Sequence, residues 1–143
     1  MRTKLDLATW PRKEHFEFFS RFEEPFFGLV ANVDVTKAYA SAKAKNVPFF
    51  LYYLHKVLAA VNRVEAFRYR IADGEIFVYD VVNASATLTR DDNTFGFSFM
   101  EFSPDIDTFV TGAKKEIERV RNTPGLFTRS FESDNIIHFS AIP

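Results

Sequence analysis

The chain has no cysteine. That excludes a disulfide framework, a thiolate metal site and a cysteine nucleophile, and it suits a cytoplasmic protein. It also lacks a surplus of either charge: 18 basic against 19 acidic residues leave a net charge of −1 and no basic stripe for a nucleic acid. No apolar run is long enough to span a bilayer. The nearest, Val47 to Val61, is interrupted by Pro48, His55 and Lys56. The first residues, Met1-Arg2-Thr3-Lys4-Leu5-Asp6, contain no apolar core of a secretory signal. There is no Gly-x-Gly-x-x-Gly and no Walker loop to cradle a nucleotide phosphate. Repeats, low-complexity tracts and Gly/Ser linkers are absent too, so a single domain over residues 1–143 is expected, soluble and without a membrane segment.

What the chain does have is phenylalanine. Eighteen Phe, with five Tyr and one Trp, make 17% of the residues aromatic. Most of these rings are expected in the core. The remainder suit an apolar pocket or a subunit interface.

The local patterns predict a mixture of helices and strands. Pro11 near a first helical turn, followed by Phe16, Phe19 and Phe22, predicts a short helix to about Arg21, stopped by Pro25. The alternation of Phe27, Leu29, Ala31 and Val33 predicts a strand. Asp34 or Thr36 can cap a helix that closes at Asn46. Phe50, Tyr53, Leu54, Val57, Leu58 and Val61 form one continuous helical stripe after Pro48. Asp73-Gly74 joins two β-prone runs, Phe67–Ile71 and Glu75–Tyr79, as a hairpin. Residues 85–89 and 94–102 predict a second strand pair. Ser103-Pro104-Asp105 reads as cap, first-turn proline and early acid of a helix burying Ile106, Phe109, Val110, Ala113, Ile117 and Val120. Ile136–Ser140 predicts a last strand with an exposed edge. The fold class expected is α+β: a two-layer sandwich in which a mixed, mostly antiparallel sheet is covered by helices.

Three histidines, His15, His55 and His138, are widely separated, and none has metal-ligand spacing to another His or a carboxylate, so no metal site is expected. His15 reads as a structural hydrogen-bonding residue and His55 as a partly exposed helix position. His138, beside Ser140 in the last strand, is the one to place near a pocket. Composition and spacing stop there.

Sequence motifs extend the reading. Trp10-Pro11-Arg12-Lys13-Glu14-His15-Phe16 resembles the Trp-x-Arg-Lys-x-His-Phe segment near the start of chloramphenicol acetyltransferases. In the same order, residues 26–35 resemble that family's next strand and residues 48–62 its long helix. Phe67-Arg68 followed by Asp73-Gly74-Glu75 resembles its hairpin, and Thr94-Phe95 a strand opening. Phe139-Ser140-Ala141-Ile142-Pro143 is similar to its Ser-Ala-x-Pro-Trp motif, one residue short of the Trp. The resemblance spans this whole chain and the first two-thirds of the family. The acyltransferase cores of 2-oxo acid dehydrogenase complexes, which use a lipoyl thiol acceptor, are a related possibility, and the Trp-x-Arg-Lys-x-His-Phe opening favours the antibiotic-type branch.

That resemblance implies an acetyl-CoA-dependent O-acetyltransferase working as a homotrimer, with sites in clefts between subunits and chloramphenicol or a similar hydroxylated xenobiotic as acceptor. It makes Ser140 the hydrogen-bond donor to the oxyanion and Arg12 the arginine of a structural ion pair. Phe18, Phe19, Phe27, Thr87, Phe95, Phe127 and His138 fall at or beside the acceptor pocket, with His138 replacing an aromatic. The interval from Thr87 to Phe95 is one residue shorter than in familiar members. The family's His-His-x-x-x-Asp-Gly motif, which carries the general base and the aspartate partner of Arg12, occurs nowhere in the sequence. The domain is therefore expected to be incomplete at its C-terminus and the isolated chain inactive. A non-catalytic small-molecule-binding or oligomerisation domain is the alternative.

Overall fold

A computed structural model of the chain describes residues 1–131 and 133–141. The end of the Ser-Ala-x-Pro segment, Ile142 and Pro143, lies outside the described residues. In chain order the elements are β1 (Arg2–Lys4), α1 (Lys13–Phe19), α2 (Thr36–Ala44) and α3 (Phe49–Arg63). A 3-10 turn (Glu65–Arg68) leads into β2 (Tyr69–Ala72), β3 (Glu75–Tyr79), β4 (Asn83–Thr89), β5 (Phe95–Phe97), α4 (Ile106–Arg121) and β6 (Ile136–Phe139).

The α+β class is as expected, but the strands form two small sheets in place of one. The first has the order β1-β3-β2 and is antiparallel throughout. Its hairpin turns at Asp73 and Gly74, both at positive φ (53° and 76°), the geometry that favours Asp-Gly between twisted strands. The second has the order β5-β4-β6, with β5 antiparallel and β6 parallel to the central β4.

The core lies on one face of this second sheet. Ala84, Ala86 and Leu88 of β4 pack with Leu51, Leu54 and Leu58 of α3 and with Phe109, Val110, Ala113 and Val120 of α4. Small side chains on β4 let the two helices approach closely. Gly96 continues that requirement on β5: a Cβ there would stand 2.9 Å from Val120 Cγ1 and 2.5 Å from the Arg90 guanidinium.

Several local expectations need correction. The strand over Phe27–Val33 does not form. Residues 25–35 are irregular, and Phe27 and Val30 are 88% and 102% exposed. An apolar alternation makes a strand only where a partner takes its backbone hydrogen bonds, and among the described residues this one has none. The buried face of α3 is Leu51, Tyr52, Leu54, His55 and Leu58, rotated from the predicted stripe, with Val57 exposed. His55 is not partly exposed but buried. Its Nε2 lies 3.0 Å from the Ser103 carbonyl oxygen, and the ring stacks on Phe102. At α4 the cap is Asp105, whose Oδ1 accepts from the Thr108 N–H at 2.8 Å, so Pro104 precedes the cap. Helix α1 ends at Phe19 and continues only as a turn to Phe22. Asp34 sits one residue outside the α2 cap position, Val35, and accepts from the Thr36 N–H. Asn46 closes α2 as expected, at φ 52°, with Val47 N–H reaching back to the Ala42 carbonyl.

Two polar fixtures hold the sheet to the helices. Asn62, near the end of α3, accepts from the Val82 N–H at 2.8 Å and donates to the Leu58 and Val82 carbonyls. Glu116 of α4 is buried, accepts from the Phe99 N–H at 2.7 Å and receives a two-pronged bond from Arg119. Burial pushes the Glu116 carboxyl up, but the bonds from Arg119 and Phe99 and the charges of Arg119 and Arg129 outweigh it and hold it below the ordinary range.

Asn62→Ala strands both backbone groups of buried Val82, and urea denaturation is expected to register a loss of about 1–3 kcal/mol. Glu116 contributes stability that is complete above its unfolded pKa, about 4.3, and is lost as the pH falls through its depressed folded value. Glu116→Gln should therefore be less stable than wild type at pH 7, with the gap narrowing on acidification. Midpoints of urea unfolding across pH 3–7 check this, and a gap independent of pH would contradict it.

Candidate functional site

The face of the second sheet opposite the helices is built by the other half of β4. Side chains alternate along a strand, so with Ala84, Ala86 and Leu88 in the core, Ser85 and Thr87 point the other way. The register then assigns their neighbours. Thr87 pairs with Phe97 and Thr89 with Phe95 on β5, and Ser85 pairs with His138 on β6. The parallel pairing ends at Ala86 and Phe139, and Ser140 follows directly after it.

A cavity of about 510 Å³ opens there, with Phe97, Phe127 and Phe131 as aromatic walls and Ser85, Arg70 and His138 among its polar lining. Phe97 stands at the centre of the aromatic group, its ring 5.9 Å from that of Phe95 and 5.4 Å from that of Phe127. The loop carrying Phe127 is held by backbone pairing, Phe97 N–H to the Leu126 carbonyl at 3.0 Å. It is also held by Arg90, whose guanidinium donates to the carbonyls of Val120, Thr123 and Gly125. One cation thus ties the end of α4 to the segment that closes the cavity.

Charge near the cavity is consumed locally. Arg70 donates to the carbonyls of Phe67, Tyr69, Asp134 and Ile136. Burial draws its guanidinium below the usual range, partly offset by Asp134 and Tyr79. The Asp134 carboxylate in turn accepts from the Tyr79 hydroxyl. Ser85 differs: it is 1% exposed, and its Oγ has no hydrogen-bond partner.

The sequence-predicted residues therefore fall into separate groups. Thr87, Phe95, Phe127 and His138 share the sheet face with the cavity, and Ser140, exposed, lies one residue past the end of β6. Arg12 and Phe19 instead line a smaller cavity of about 260 Å³ with Trp10, His15, Phe16 and Ile71. Phe18 packs edge-on against Phe19 with centroids 5.2 Å apart. Phe27 stands exposed in the irregular segment after α1. Arg12, Phe18, Phe19 and Phe27 do not line the larger cavity. No carboxylate lies within 4.0 Å of the Arg12 guanidinium among the described residues.

Sequence reasoning missed Ser85, Phe97 and Phe131. The first two could have been found by carrying the two-residue alternation back from Thr87 and forward from Phe95. Phe131 carries no such signal. Among the described residues no His, Asp and Glu group could hold a metal ion, and no helix is long and apolar enough to cross a membrane.

Comparison with known proteins agrees with the motif resemblance. Chloramphenicol acetyltransferase 3 of Escherichia coli is 30% identical over 142 residues, covering 99% of this chain and 67% of that protein. A chloramphenicol acetyltransferase of Proteus mirabilis is 27% identical over 140 residues, covering 97% and 64%. A solved chloramphenicol acetyltransferase structure superimposes with a TM-score of 0.84 at 29% identity, over 100% of this chain and 70% of that one. The chain thus spans about two-thirds of the length of these relatives. The family model for chloramphenicol acetyltransferase matches residues 1–143, and the chain belongs to that family.

Proposed function

We propose that the chain forms the acceptor wall and oxyanion side of an acetyl-CoA-dependent O-acetyltransferase site, acting on a hydroxyl of chloramphenicol or a similar xenobiotic in the cytoplasm. The single observation that carries this reading is the β4–β6 register, which sets Ser85 opposite His138 beside the aromatic-walled cavity and ends one residue before Ser140.

In the proposed reaction an imidazole takes the proton of the acceptor hydroxyl as its oxygen attacks the thioester carbonyl of acetyl-CoA. The electron pair of that carbonyl moves to oxygen, and the Ser140 hydroxyl donates a hydrogen bond to the resulting oxyanion. Collapse of the intermediate expels the coenzyme A thiolate, which recovers the proton from the imidazolium. The acetyl ester and free coenzyme A are the products. Such an oxyanion donor contributes about 10²–10³-fold to kcat, and a positioned base about 10²–10⁴-fold. His15, His55 and His138 stand in no His-His-x-x-x-Asp-Gly motif, so the proposal assigns the base to polypeptide other than these 143 residues. The same polypeptide would carry the aspartate partner of Arg12. Arg12, Phe18, Phe19 and Phe27, away from the sheet-face cavity, would act at a cleft shared with a neighbouring protomer of a trimer.

The exposed apolar side chains Phe26, Phe27, Leu29, Val30 and Val33 favour association. They also support the second reading, an oligomerisation or small-molecule-binding domain without catalysis.

A chimera joining this chain to the remaining third of the Escherichia coli relative separates the two readings. It is expected to release coenzyme A thiol when given acetyl-CoA and chloramphenicol, while the 143-residue chain alone releases none above background. Ser140→Ala in the chimera should lower kcat about 10²–10³-fold. A folded trimeric chimera that binds both substrates without transfer would leave the non-catalytic reading in place, and equal turnover by the isolated chain would overturn the assignment of the base.

A further inference from the structure

A second groove runs between α4 and the segment that follows β5. Thr108, Gly112, Lys115 and Arg119 recur at helical spacing along one side of α4. With residues 99–103 and Arg129 they border a cavity of about 500 Å³, within the range of about 300–1,000 Å³ that ligand pockets occupy. It shares no residue with the sheet-face cavity. Gly112 stands midway along the helical row. Glycine is the poorest helix former after proline, and nothing in the protein's own packing calls for one here. A Cβ at this position would meet no atom within 4 Å. What the missing side chain does is leave the groove open.

The polar groups of the groove divide into those already engaged and those still open. Glu116 and Arg119 are bonded to each other, to the Phe99 N–H and to Thr128. Met100 exchanges both backbone hydrogen bonds with Ala84, at 2.8 and 3.0 Å. The N–H groups of Phe99 and Glu101 therefore point the other way, toward α4. Glu116 accepts from the first, and the second has no partner among the described residues.

Two cations are also open. Arg129 lies over the Phe99 ring, 5.0 Å from its centroid, and makes no hydrogen bond among the described residues. It stands 4.0 Å from Glu116, but that carboxylate is already answered by Arg119 at 2.7 Å. Lys115 has no ion-pair partner among the described residues. The other carboxylate on the lining, Glu101, is exposed to water. The groove thus sets open cations beside the rings of Phe99 and Phe102. The sheet-face cavity differs, because its Arg70 is taken up by four carbonyls.

We infer that this groove is a second ligand site, for a small aromatic carboxylate whose ring is seated over Gly112 and whose carboxylate is held by Arg129 and Lys115. An aromatic body matches the phenyl walls and the flat floor that glycine leaves. A single negative charge matches the surplus of three cations over the two carboxylates, Glu101 and Glu116, on the lining.

Calorimetric titration of the 143-residue chain with 2-naphthoate tests this, with the neutral 2-naphthamide as its counterpart. Naphthoate is expected to bind at one site, and about tenfold or more tighter than the amide. Arg129→Gln should weaken naphthoate about tenfold and leave the amide unchanged. Gly112→Leu should abolish binding of both by filling the groove, with the unfolding temperature unchanged or raised because a better helix former enters open space. Equal affinity for naphthoate and the amide would overturn the inference, as would no binding of either. Undiminished binding to Gly112→Leu would also overturn it, and so would a fall in that variant's unfolding temperature, since the position would then be closed rather than open. None of these outcomes bears on the acetyltransferase reading, which thiol release by the chimera decides.

Discussion

The central strand β4 governs the molecule, because it must satisfy two opposite environments with alternating side chains. Ala84, Ala86 and Leu88 are fully or nearly fully buried under α3 and α4. Ser85 and Thr87 turn to the other face, where His138 and Phe97 are their register neighbours. A slip of one residue in this pairing would drive two hydroxyls into the leucine core and the core residues into the cavity. Register is therefore strongly specified, and packing on one face fixes the chemistry available on the other. The half-buried amide of Asn62, holding both backbone groups of Val82 immediately before β4, secures that registration from the helix side.

Around this strand the charged groups act as fasteners. Arg90 ties the end of α4 to the loop that brings Phe127 onto Phe97. Arg70 gathers four carbonyls at the far side of the cavity, and Glu116 with Arg119 secures the backbone at Phe99. Each charge is answered by fixed backbone groups or an opposite charge. The cavity keeps its phenyl walls beside Ser85, Ser133 and His138, with Arg70 and Asp134 engaged by their own partners. Such a surface suits a neutral aromatic acceptor and offers little to a phosphate or carboxylate.

Elements that close on themselves were readable from local signals. The Asp73-Gly74 hairpin, the Asn46 stop, α3 and α4 all follow from turn chemistry or helical periodicity. Errors arose where the outcome depends on a distant partner. The alternation through Phe27 to Val33 is a strand pattern, but no strand among the described residues lies beside it, so the backbone stays irregular and the apolar side chains exposed. His55 looked partly exposed from its neighbour Lys56, yet α4 and the segment at Phe102 cover it. The site was half legible. Thr87, Phe95, Phe127 and His138 share one face, while Ser85 was passed over because a serine between two alanines carries no motif. Its place beside the cavity appears only when the register with His138 is known.

The claim that one face of β4 builds the core and the other receives the acceptor is tested most directly by nuclear magnetic resonance of the isotope-labelled chain titrated with chloramphenicol. The account predicts that amide shifts concentrate at Ser85, Thr87, Phe97, Phe127 and His138, with Leu51, Leu54 and Leu58 of α3 unmoved. Shifts confined to the helical face, or to neither face, would contradict it.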